Sequence, residues 1–345
     1  MTKMLITGGA GFVGQAIAGA AQAAGHDVSL VDSLDVRVHP ADTRFDGVRA
    51  DVRDATAWGD LLDVDVVFHE AATVGIGRDA RDFADYADVN VTGTLRLLQA
   101  LAERPEPPRI VLASSMAVYG EGATQCPACG EGRPVPRRTA DLDAGRWENR
   151  CACGEVLEPR PTPEEKQHRP ATAYAMSKSW QEQAALLAGS RLGIEVIALR
   201  YHNVYGPNMP RDTPYAGVAS LFRSRLAVGL PPLVHEDGGQ LRDFVHVSDV
   251  AQANLLAADA GSGAVGRCFN VGSGHPVTIL QVARALADAV DGPAPVFSGS
   301  YRAGDARHVY GAIGQAHDVL GYRPRMEPAV GIAAFAHDPL RGSPA

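Results

Sequence analysis

The chain has 345 residues, of which 46% are hydrophobic and 21% charged, and its formal net charge is −8 at pH 7. This composition is typical of a globular protein with one large core, or with a cofactor domain and a smaller substrate-binding lobe. The negative charge argues against a nucleic-acid partner, although a local group of arginines could still bind a phosphorylated small molecule. No apolar run approaches the roughly 18 residues of a membrane-spanning helix, and the first residues favour a strand over a signal peptide, so we expect a cytoplasmic protein without a membrane partner.

The first motif is a glycine-rich turn between a short strand and a helix. An apolar stretch over residues 4–6 precedes it, and a helical pattern from Ala16 to Ala24 follows. Glycines allow the tight turn, let backbone N–H groups approach a pyrophosphate and let the helix pack close to the strand. The pattern favours a dinucleotide site over a glycine-rich turn that binds nothing. The expected cofactor contacts are Gly8, Gly11, Phe12, Val13 and Gly14.

A second apolar run ends in Asp32, which lies 18 residues after Gly14. A carboxylate at this position can accept hydrogen bonds from both hydroxyls of a cofactor ribose. The same carboxylate would repel the 2′-phosphate of NADP. We therefore predict NAD as the cofactor.

Short apolar runs alternate with helical patterns over the first 200 residues. Strands are predicted over 64–68, 109–113 and 192–199, and helices over 88–102 and 171–188. This alternation predicts an α/β protein with a doubly wound parallel (Rossmann) sheet, whose ligands bind beyond the carboxyl ends of the strands. Further cofactor contacts are expected at two of these ends, from Asp51, Val52, Ala71 and Ala72.

The character of the sequence changes near Tyr201, after which Gly and Pro are frequent and the elements become shorter. We predict a NAD-binding domain over residues 1–200 and a smaller C-terminal substrate-binding lobe that is mainly residues 201–345. Residues 242–260 are expected to return to the NAD-binding domain, with a helix over 244–258. Residues 121–169 stand apart as an insertion rich in Pro, Gly, Arg and Cys.

Tyr174 and Lys178 lie four residues apart in a predicted helix and therefore on one face of it. Free tyrosine titrates near ~10, which is too high for a base at neutral pH, but a nearby ammonium and a positively charged nicotinamide ring both favour the phenolate. The Ser115 hydroxyl, at the end of an intervening strand, could hydrogen-bond the reacting oxygen. The same spacing also occurs in pairs of surface residues on helices. In a chain that also contains a dinucleotide-binding motif, it indicates a catalytic site.

Together these motifs resemble those of extended short-chain dehydrogenases/reductases of the nucleotide-sugar epimerase/dehydratase family. The resemblance extends over essentially the whole chain except residues 121–169. The segments that carry it are 7–14 (TGGAGFVG), 51–52 (DV), Asn90, 114–120 (SSMAVYG), Tyr174 with Lys178, 199–207 (LRYHNVYGP), 242–250 (RDFVHVSDV) and 302–305 (RAGD).

The resemblance implies roles for the catalytic and cofactor-binding residues. Tyr174 would be the acid/base, and Ser115 would complete the triad. Lys178 would hold the nicotinamide ribose and lower the pKa of the tyrosine. Asn90 would contact the cofactor region, although it could equally be a structural amide buried in a helix.

The resemblance also implies a set of substrate-binding residues. Asn203 would touch the phosphates of a nucleoside-diphosphate sugar, Arg242 and Arg302 would clamp its diphosphate, and Asp305 would lie near a ribose. A dianionic diphosphate needs cations with forked donors, which an acidic protein must supply locally. The alternative for both arginines is a surface ion pair with a neighbouring acid. His202 either tunes the sugar pocket or packs passively.

Four of the five cysteines form two pairs within the insertion, which resemble the two halves of a zinc ribbon. Four thiolates suit a closed, tetrahedral structural zinc with no position left for catalysis. The second pair is spaced Cys-x-Cys instead of Cys-x-x-Cys, and free thiol pairs or a redox switch remain as alternatives. The insertion is expected near the mouth of the active site, as a lid or as a dimer contact. The predicted ligands are Cys126, Cys129, Cys151 and Cys153.

The predicted function is that of an NAD-dependent nucleotide-sugar 4-epimerase, an isomerase that acts as a homodimer on a nucleoside-diphosphate hexose. A 4,6-dehydratase, a nucleotide-sugar reductase and a non-catalytic NAD-sensing protein are the alternatives. Family members that are dehydratases have an Asp-Glu pair directly after the triad hydroxyl residue. Here Met116 and Ala117 occupy these positions, and neither can move a proton.

Overall fold

The computed structural model describes residues 1–40, 43–75, 80–211, 217–302 and 304–342. The strands, in chain order, are β1 (Lys3–Thr7), β2 (Asp27–Asp32), β3 (Val48–Arg49), β4 (Val66–His69), β5 (Arg109–Ser115), β6 (Ala123–Cys126), β7 (Gly130–Glu131), β8 (Glu158–Arg160), β9 (Val196–Tyr201), β10 (Asn203–Tyr205), β11 (Met209–Pro210), β12 (Leu233–Val234), β13 (Leu241–His246), β14 (Cys268–Val271), β15 (Pro276–Thr278), β16 (Val296–Phe297), β17 (His308–Val309) and β18 (Leu340–Arg341). The helices are α1 (Phe12–Ala23), α2 (Ala80–Tyr86), α3 (Gly93–Ala102), α4 (Thr139–Asp143), α5 (Ala173–Leu192), α6 (Val218–Ala227), α7 (Val247–Ala258), α8 (Ile279–Ala289), α9 (Gly314–Leu320) and α10 (Pro328–Phe335). Within these described ranges, no helix has both the length and the apolar character needed to cross a membrane.

The central element is a seven-stranded parallel sheet with the order β14-β9-β5-β4-β1-β2-β3. Successive side chains of each strand point to opposite faces of the sheet, and both faces are buried. In β1, Met4 and Ile6 pack with α1, α7 and α9, whereas Leu5 packs with α3 and α5 on the other face. The predicted doubly wound fold is confirmed, and the carboxyl ends of all its strands lie at one edge.

The C-terminal lobe has its own small sheet and its own apolar core. The sheet has the order β10-β13-β15, and β17 also pairs with β13. Tyr205, Phe222, Phe244, Leu286 and Phe335 contribute to the core beneath it. One element from the C-terminal half, β14, belongs instead to the central sheet, where it pairs with β9.

The helix that carries the predicted catalytic pair begins and ends at identifiable caps. It starts at Ala173, two residues later than predicted, because the Thr172 hydroxyl accepts a hydrogen bond from the Ala175 backbone N–H at 3.1 Å. It continues to Leu192 and ends at Gly193, whose φ of 72° is left-handed. The strand predicted over 192–199 therefore begins later, at Val196.

Two other predicted helices differ from the structure in their bounds. The helix predicted over 244–258 begins only at Val247, because Phe244 to His246 form the end of β13 and the His246 side chain caps the helix by accepting from the Ser248 N–H. The helix predicted over 88–102 is the last part of a longer helical segment that contains a π-helical turn at Ala87–Thr92.

Candidate functional site

The glycine turn lies at the carboxyl end of β1 and packs against the end of β4. Gly8 has a φ of 69°, and a Cβ atom there would lie 2.8 Å from the Ala71 backbone nitrogen. A Cβ atom at Gly14 would collide with the Gly8 carbonyl oxygen. Both positions therefore need glycine, and the turn brings the beginning of α1 close to the strand ends.

Asp32 ends β2 beside this turn. One of its carboxylate oxygens accepts from the Ala10 N–H at 3.0 Å, and the other accepts from the Leu34 N–H at 2.8 Å. The side chain is 8% exposed, and His39 Nε2 lies 3.7 Å from it. Each carboxylate oxygen has a further lone pair, so the group can still accept from two hydroxyls.

A cleft of about 930 Å³ runs along the carboxyl ends of the central strands. Its position agrees with the rule for ligands of open α/β sheets. Most of the residues predicted from the sequence line it: Gly8, Gly11, Phe12, Val13, Gly14, Asp32, Asp51, Val52, Ala71, Ala72, Ser115, Tyr174, Lys178, His202, Asn203 and Arg302. Three do not belong to this lining, namely Asn90, Arg242 and Asp305.

Asn90 is fully buried within the π-helical turn. Its amide accepts from the Thr73 N–H at 2.8 Å and donates to the Thr73 carbonyl at 3.0 Å and to the Ser177 hydroxyl at 2.9 Å. These bonds fix the loop after β4 against α5. The side chain thus holds part of the cleft wall in place from behind.

Ser115, Tyr174 and Lys178 meet in the wall of the cleft. Burial raises the pKa of Tyr174 to about 12, against the opposing effect of a side-chain hydrogen bond with Ser115. Lys178 is 3% exposed and donates from Nζ to the Ala113 carbonyl at 2.9 Å and to Gln181 Oε1 at 2.8 Å. Burial lowers its pKa to about 8. In this structure burial of the phenol outweighs the effects that favour its ionised form.

Glu70 is a residue of the cleft that the sequence reasoning did not select. It follows β4 directly, and Tyr201 donates a hydrogen bond to its Oε1 at 2.8 Å. Burial raises the pKa of Glu70 to about 7, while the Tyr201 hydrogen bond and the charge of Lys178 act in the opposite direction. Its position at a strand end was the only available signal in the sequence.

Arg341 also lines the cleft and was not selected. It lies in β18, near the C-terminus, and its guanidinium donates to the Ala10 carbonyl at 2.8 Å. It therefore contacts the glycine turn from a position 331 residues later in the chain. No local pattern in the sequence indicates this approach.

The predicted substrate residues divide into two groups. The Asn203 Oδ1 and His202 Nδ1 atoms are buried in the cleft region without a hydrogen-bond partner among the described residues. Such atoms are typical of places where a ligand completes the hydrogen bonds. Arg302 is exposed and lines the same cleft. Residue 303 of the RAGD segment lies outside the described residues.

The second group, Arg242 and Asp305, does not belong to the cleft lining. Arg242 donates to three backbone carbonyls, those of Leu241 at 2.8 Å, Arg307 at 3.1 Å and Ala306 at 2.5 Å. Arg242 is thus not paired with its neighbour Asp243, the surface ion pair that the sequence left open as an alternative. Asp305 is exposed, and its carbonyl accepts from an arginine of the insertion.

The insertion brings the four predicted cysteines together. Their sulfur atoms all lie within 4.8 Å of one another, and Cys126 Sγ is 3.6 Å from Cys153 Sγ. Thiolates bound to one tetrahedral zinc at about 2.3 Å are roughly 3.8 Å apart, which fits this arrangement. Hydrogen bonds from backbone N–H groups lower the pKa of the Cys151 thiol to about 6, whereas hydrogen bonds with the Cys153 and Cys126 thiols raise the pKa of Cys129. The short Cys-x-Cys spacing is therefore compatible with a four-thiolate centre.

Comparison with sequence families identifies the chain over most of its length. Residues 4–139 and 150–272 match the model of the NAD dependent epimerase/dehydratase family. The chain is similar to a dTDP-L-rhamnose 4-epimerase from Burkholderia thailandensis, with 34% identity over 96% of this chain and 93% of the relative. It is similar to a UDP-glucose 4-epimerase from Mycolicibacterium smegmatis, with 30% identity over 96% of both chains. It also resembles a dTDP-glucose 4,6-dehydratase from an Actinoplanes species, with 31% identity over 96% of this chain and 95% of the relative.

Solved structures give the same relationship. The UDP-glucose 4-epimerase of Thermus thermophilus in complex with NAD superposes with a TM-score of 0.77, at 28% identity and with 97% of each chain covered. The UDP-glucose 4-epimerase of Thermotoga maritima with UDP-glucose gives a TM-score of 0.78, at 25% identity and the same coverage.

Proposed function

The chain belongs to the NAD dependent epimerase/dehydratase family, and from this premise we propose that it is an NAD-dependent nucleotide-sugar 4-epimerase. Such an enzyme is an isomerase of the sugar C4 centre. The observation that carries the proposal is the joint placement of Ser115, Tyr174 and Lys178 in the wall of a cleft that also contains the glycine turn and Asp32. Relatives named as 4-epimerases over nearly the whole chain support it.

The residues of the cleft fit a bound NAD. Glycine at positions 8 and 14 lets the turn pack closely on itself and on Ala71, which brings the N-terminal N–H groups of α1 to the cleft, where a pyrophosphate would bind. Asp32 would accept from the ribose hydroxyls, and Lys178 would hold the nicotinamide ribose. When bound, NAD supplies a reversible hydride acceptor for C4 of the sugar.

The chemistry of the chain itself is a proton transfer at the C4 hydroxyl. Tyr174 would take this proton as C4 is oxidised and return it when C4 is reduced, with Ser115 hydrogen-bonded to the reacting oxygen. The phenol of Tyr174 has a pKa of about 12 in the structure, so a positive charge has to approach it before it can act as a base near neutral pH. Lys178 and the nicotinamide ring would supply that charge.

Inversion at C4 requires the 4-keto sugar to turn over while its nucleotide stays bound. We assign the diphosphate to Arg302 and Arg242, and the nucleotide ribose to Asp305. Arg242 gives three of its five N–H donors to backbone carbonyls, so its remaining donors would be available to the phosphate oxygens. Asn203 and His202, with their unpaired buried atoms, would complete their hydrogen bonds on the phosphates and the hexose.

Epimerisation is favoured over 4,6-elimination by the residues after Ser115. Elimination must protonate the leaving C6 hydroxyl and remove a proton from C5, so it needs further acid/base groups beside the tyrosine. Met116 and Ala117 form the start of a short helical turn, which the Ser115 hydroxyl caps by accepting from the Ala117 N–H at 3.1 Å. Neither side chain can carry a proton.

The proposed activity is tested by NMR. Nucleoside-diphosphate sugars, beginning with UDP-glucose and dTDP-L-rhamnose, are incubated with purified protein without added cofactor. A new anomeric signal from the 4-epimer is expected. A 4-keto-6-deoxy product would indicate the dehydratase, activity only with stoichiometric NADH the reductase, and no turnover of any nucleotide sugar the non-catalytic NAD-sensing protein.

The role of Asp32 is tested through NAD affinity. Asp32→Ser should weaken NAD binding by roughly 1–3 kcal/mol, because the ribose hydroxyls lose a charged acceptor. Asp27→Ser, at the exposed beginning of the same strand, is the matched control. Equal NAD affinities of the two variants in a calorimetric titration would place the ribose contact elsewhere.

We also propose that the four cysteines bind one structural zinc. The insertion has a very small apolar cluster of its own, which consists of Cys126, Cys151 and Leu157, and a metal would supply the missing order. Elemental analysis should find about one zinc per chain in protein purified without chelator. Cys153→Ser should lose the metal, whereas Cys268→Ser, outside the cluster, should keep it; wild-type protein without zinc would contradict the assignment.

We further propose that two copies of the chain form a homodimer through the outer surface of α5 and its neighbours. Met176, Trp180 and Leu187 are 44%, 55% and 63% exposed, and they lie at helical spacing on α5. Leu95 on α3 and Phe83 on α2 add exposed apolar surface beside them. Light scattering should give a dimer for the wild type and for Leu230→Glu, an exposed apolar site in the other lobe, and a monomer for Trp180→Glu. A monomeric wild type, or a dimeric Trp180→Glu variant, would contradict this surface.

A further inference from the structure

The insertion over residues 121–169 contacts the C-terminal lobe on both sides of Arg302. Tyr301 donates a hydrogen bond to the Asp143 carboxylate at 2.8 Å, and its ring packs 6.1 Å from that of Trp147. After Arg302, Arg137 Nη2 donates to the Asp305 carbonyl at 2.6 Å. The segment that carries Arg302 is therefore held at both ends by side chains of the insertion.

The residues that follow this segment are held by acids of the insertion. Glu148 accepts from the Arg307 guanidinium at 2.6 Å and lies 2.8 Å from His308 Nε2. Glu121 accepts from the backbone N–H groups of Arg307 at 2.8 Å and of His308 at 2.6 Å. Arg307 is 1% exposed and is also paired with Glu236, so its charge is fully compensated.

These contacts connect back to the cysteine cluster over short distances along the chain. Cys151 pairs with Pro134 in an antiparallel bridge, and the Val135 N–H donates to the Arg150 carbonyl at 3.0 Å. Arg137 and Glu148 thus each lie three residues from a residue of that bridge. The side chain of Arg137 is 9% exposed, and it is fixed further by an ion pair with Glu236 at 2.9 Å.

The described side chains of the insertion do not reach the cofactor cleft. None of its described side chains belongs to the lining between the glycine turn and Arg302. A change in the insertion can therefore affect the nucleotide sugar through the segment 301–305 without touching NAD or the proton-transfer residues.

We propose that the insertion is a positioning element for Arg302. Asp143 holds Tyr301 and Arg137 holds Asp305, on either side of Arg302. The cysteine cluster, with the zinc proposed above, would hold the chain that carries Arg137. The occupancy of the cysteine cluster by zinc thereby sets the affinity for the nucleoside diphosphate of the substrate. This inference rests on the proposed function, because it takes Arg302 as a ligand of the diphosphate.

Adjacent arginines of the insertion provide a matched pair of variants. Arg137→Ala removes the contact with the Asp305 carbonyl, whereas Arg138 is 79% exposed and pairs with Asp141 within the insertion. UDP and dTDP are titrated into both variants and into the wild type by calorimetry. Arg137→Ala should weaken binding about tenfold, the effect of losing a hydrogen bond from a charged group. Arg138→Ala should bind as the wild type does.

The kinetic and exchange measurements separate positioning from a general loss of structure. In Arg137→Ala the KM for the nucleotide sugar should rise while kcat and NAD content stay close to wild type, as for a loss of uniform binding. Amide hydrogen exchange over residues 304–308 should accelerate, and Arg137→Lys should recover part of the affinity. Asp143→Ala, at an exposed position, should act in the same direction more weakly.

Each arm of the experiment has an outcome that overturns part of the proposal. Unchanged nucleotide affinity or unchanged exchange in Arg137→Ala would show that Arg137 does not position the segment. Unchanged affinity in Cys153→Ser would show that the cysteine cluster does not act on it. If the wild type binds none of the common nucleoside diphosphates and turns over no nucleotide sugar, the proposed function fails instead, and the exchange comparison still decides whether the insertion holds residues 304–308.

Discussion

The phenol of Tyr174 is the one group to which the proposed chemistry assigns a proton. Tyr174→Phe keeps the ring and its edge contact with Tyr86, at 6.1 Å between centroids, and removes only the hydroxyl. We expect kcat to fall by about 10²–10⁴, the range for one general acid/base, with NAD still bound. Tyr310→Phe, outside the cleft lining, is the control. A Tyr174→Phe variant with near wild-type kcat would assign the proton to another group.

Glu70 gives a pH dependence of stability with a definite sign. Its pKa in the fold is about 7, raised from the ordinary 4.5 by burial, so the folded chain holds this proton at pH values where the unfolded chain has lost it. Its contribution is complete below about pH 4.5 and is lost as the pH rises through 7. The free energy of unfolding of the wild type should therefore fall between pH 5 and pH 8. In urea titrations this fall should be about 1–3 kcal/mol smaller in Glu70→Gln, which lacks the titrating carboxyl. Identical pH profiles of both proteins would contradict the shift.

Residues of the site differ in how far the sequence could predict them. Tyr174 and Lys178 were accessible because four residues on a helix fix a common face, and Asp32 because a strand end fixes its place. Arg341 was not accessible, since it reaches the glycine turn by a tertiary approach across nearly the whole chain. The bonds of Arg242 to three carbonyls likewise depend on where residues 306 and 307 pass, which no local pattern encodes.

A buried ion pair contributes to fixing α5 against the sheet. Glu182 lies one turn beyond Lys178 on the same face, and its carboxylate accepts from Arg200 at 2.6 Å and from Ser114 at 2.5 Å. Burial acts to raise the pKa of Glu182, but the Arg200 and His168 hydrogen bonds lower it to about 2. Its stabilising contribution is therefore present above about pH 4.5 and is lost as the pH falls towards 2.

Glu182→Gln should lower the free energy of unfolding by about 3 kcal/mol at pH 7, because it leaves the buried Arg200 charge unpaired. Glu195→Gln removes a surface pair with Arg109, in which the glutamate side chain is 48% exposed, and should cost less than about 1 kcal/mol. Urea titrations at pH 7 and pH 3 compare the two, and the Glu182 effect should shrink at pH 3. Equal small losses in both variants would mean that the buried pair does not anchor α5.

The hydrophobic pattern of the sequence predicted whether an element is a helix or a strand, whereas the residues at which the helices begin and end depend on caps. The apolar runs over residues 4–6 and 109–113 predicted strands, which the structure confirms as Lys3–Thr7 and Arg109–Ser115. The beginning of α7 at Val247 depends on His246 acting as a cap, which is an uncommon use of this residue. A helical period alone could not separate residues 244–246 from the helix that follows.

At the scale of the whole molecule, the chain combines a cofactor sheet, a second lobe and an insertion that joins to that lobe. The alternation of elements predicted the central sheet, whereas the boundary near Tyr201 stays a prediction, since β14 and α7 beyond it pack with that sheet. The position of the insertion could not be predicted beyond its attachment points, because its partners Glu236, Arg307 and His308 lie far along the chain. Its composition indicated only that it needs a source of order besides apolar packing.

An isotope label distinguishes oxidation and reduction at C4 with inversion from the alternative reactions. The nucleotide sugar that turns over in the NMR screen is prepared with deuterium at C4 and incubated with the purified protein in ordinary water. The inverted product is expected to keep the deuterium at C4. Loss of the label to solvent, or its appearance in a stable 4-keto-6-deoxy sugar, would contradict the 4-epimerase mechanism.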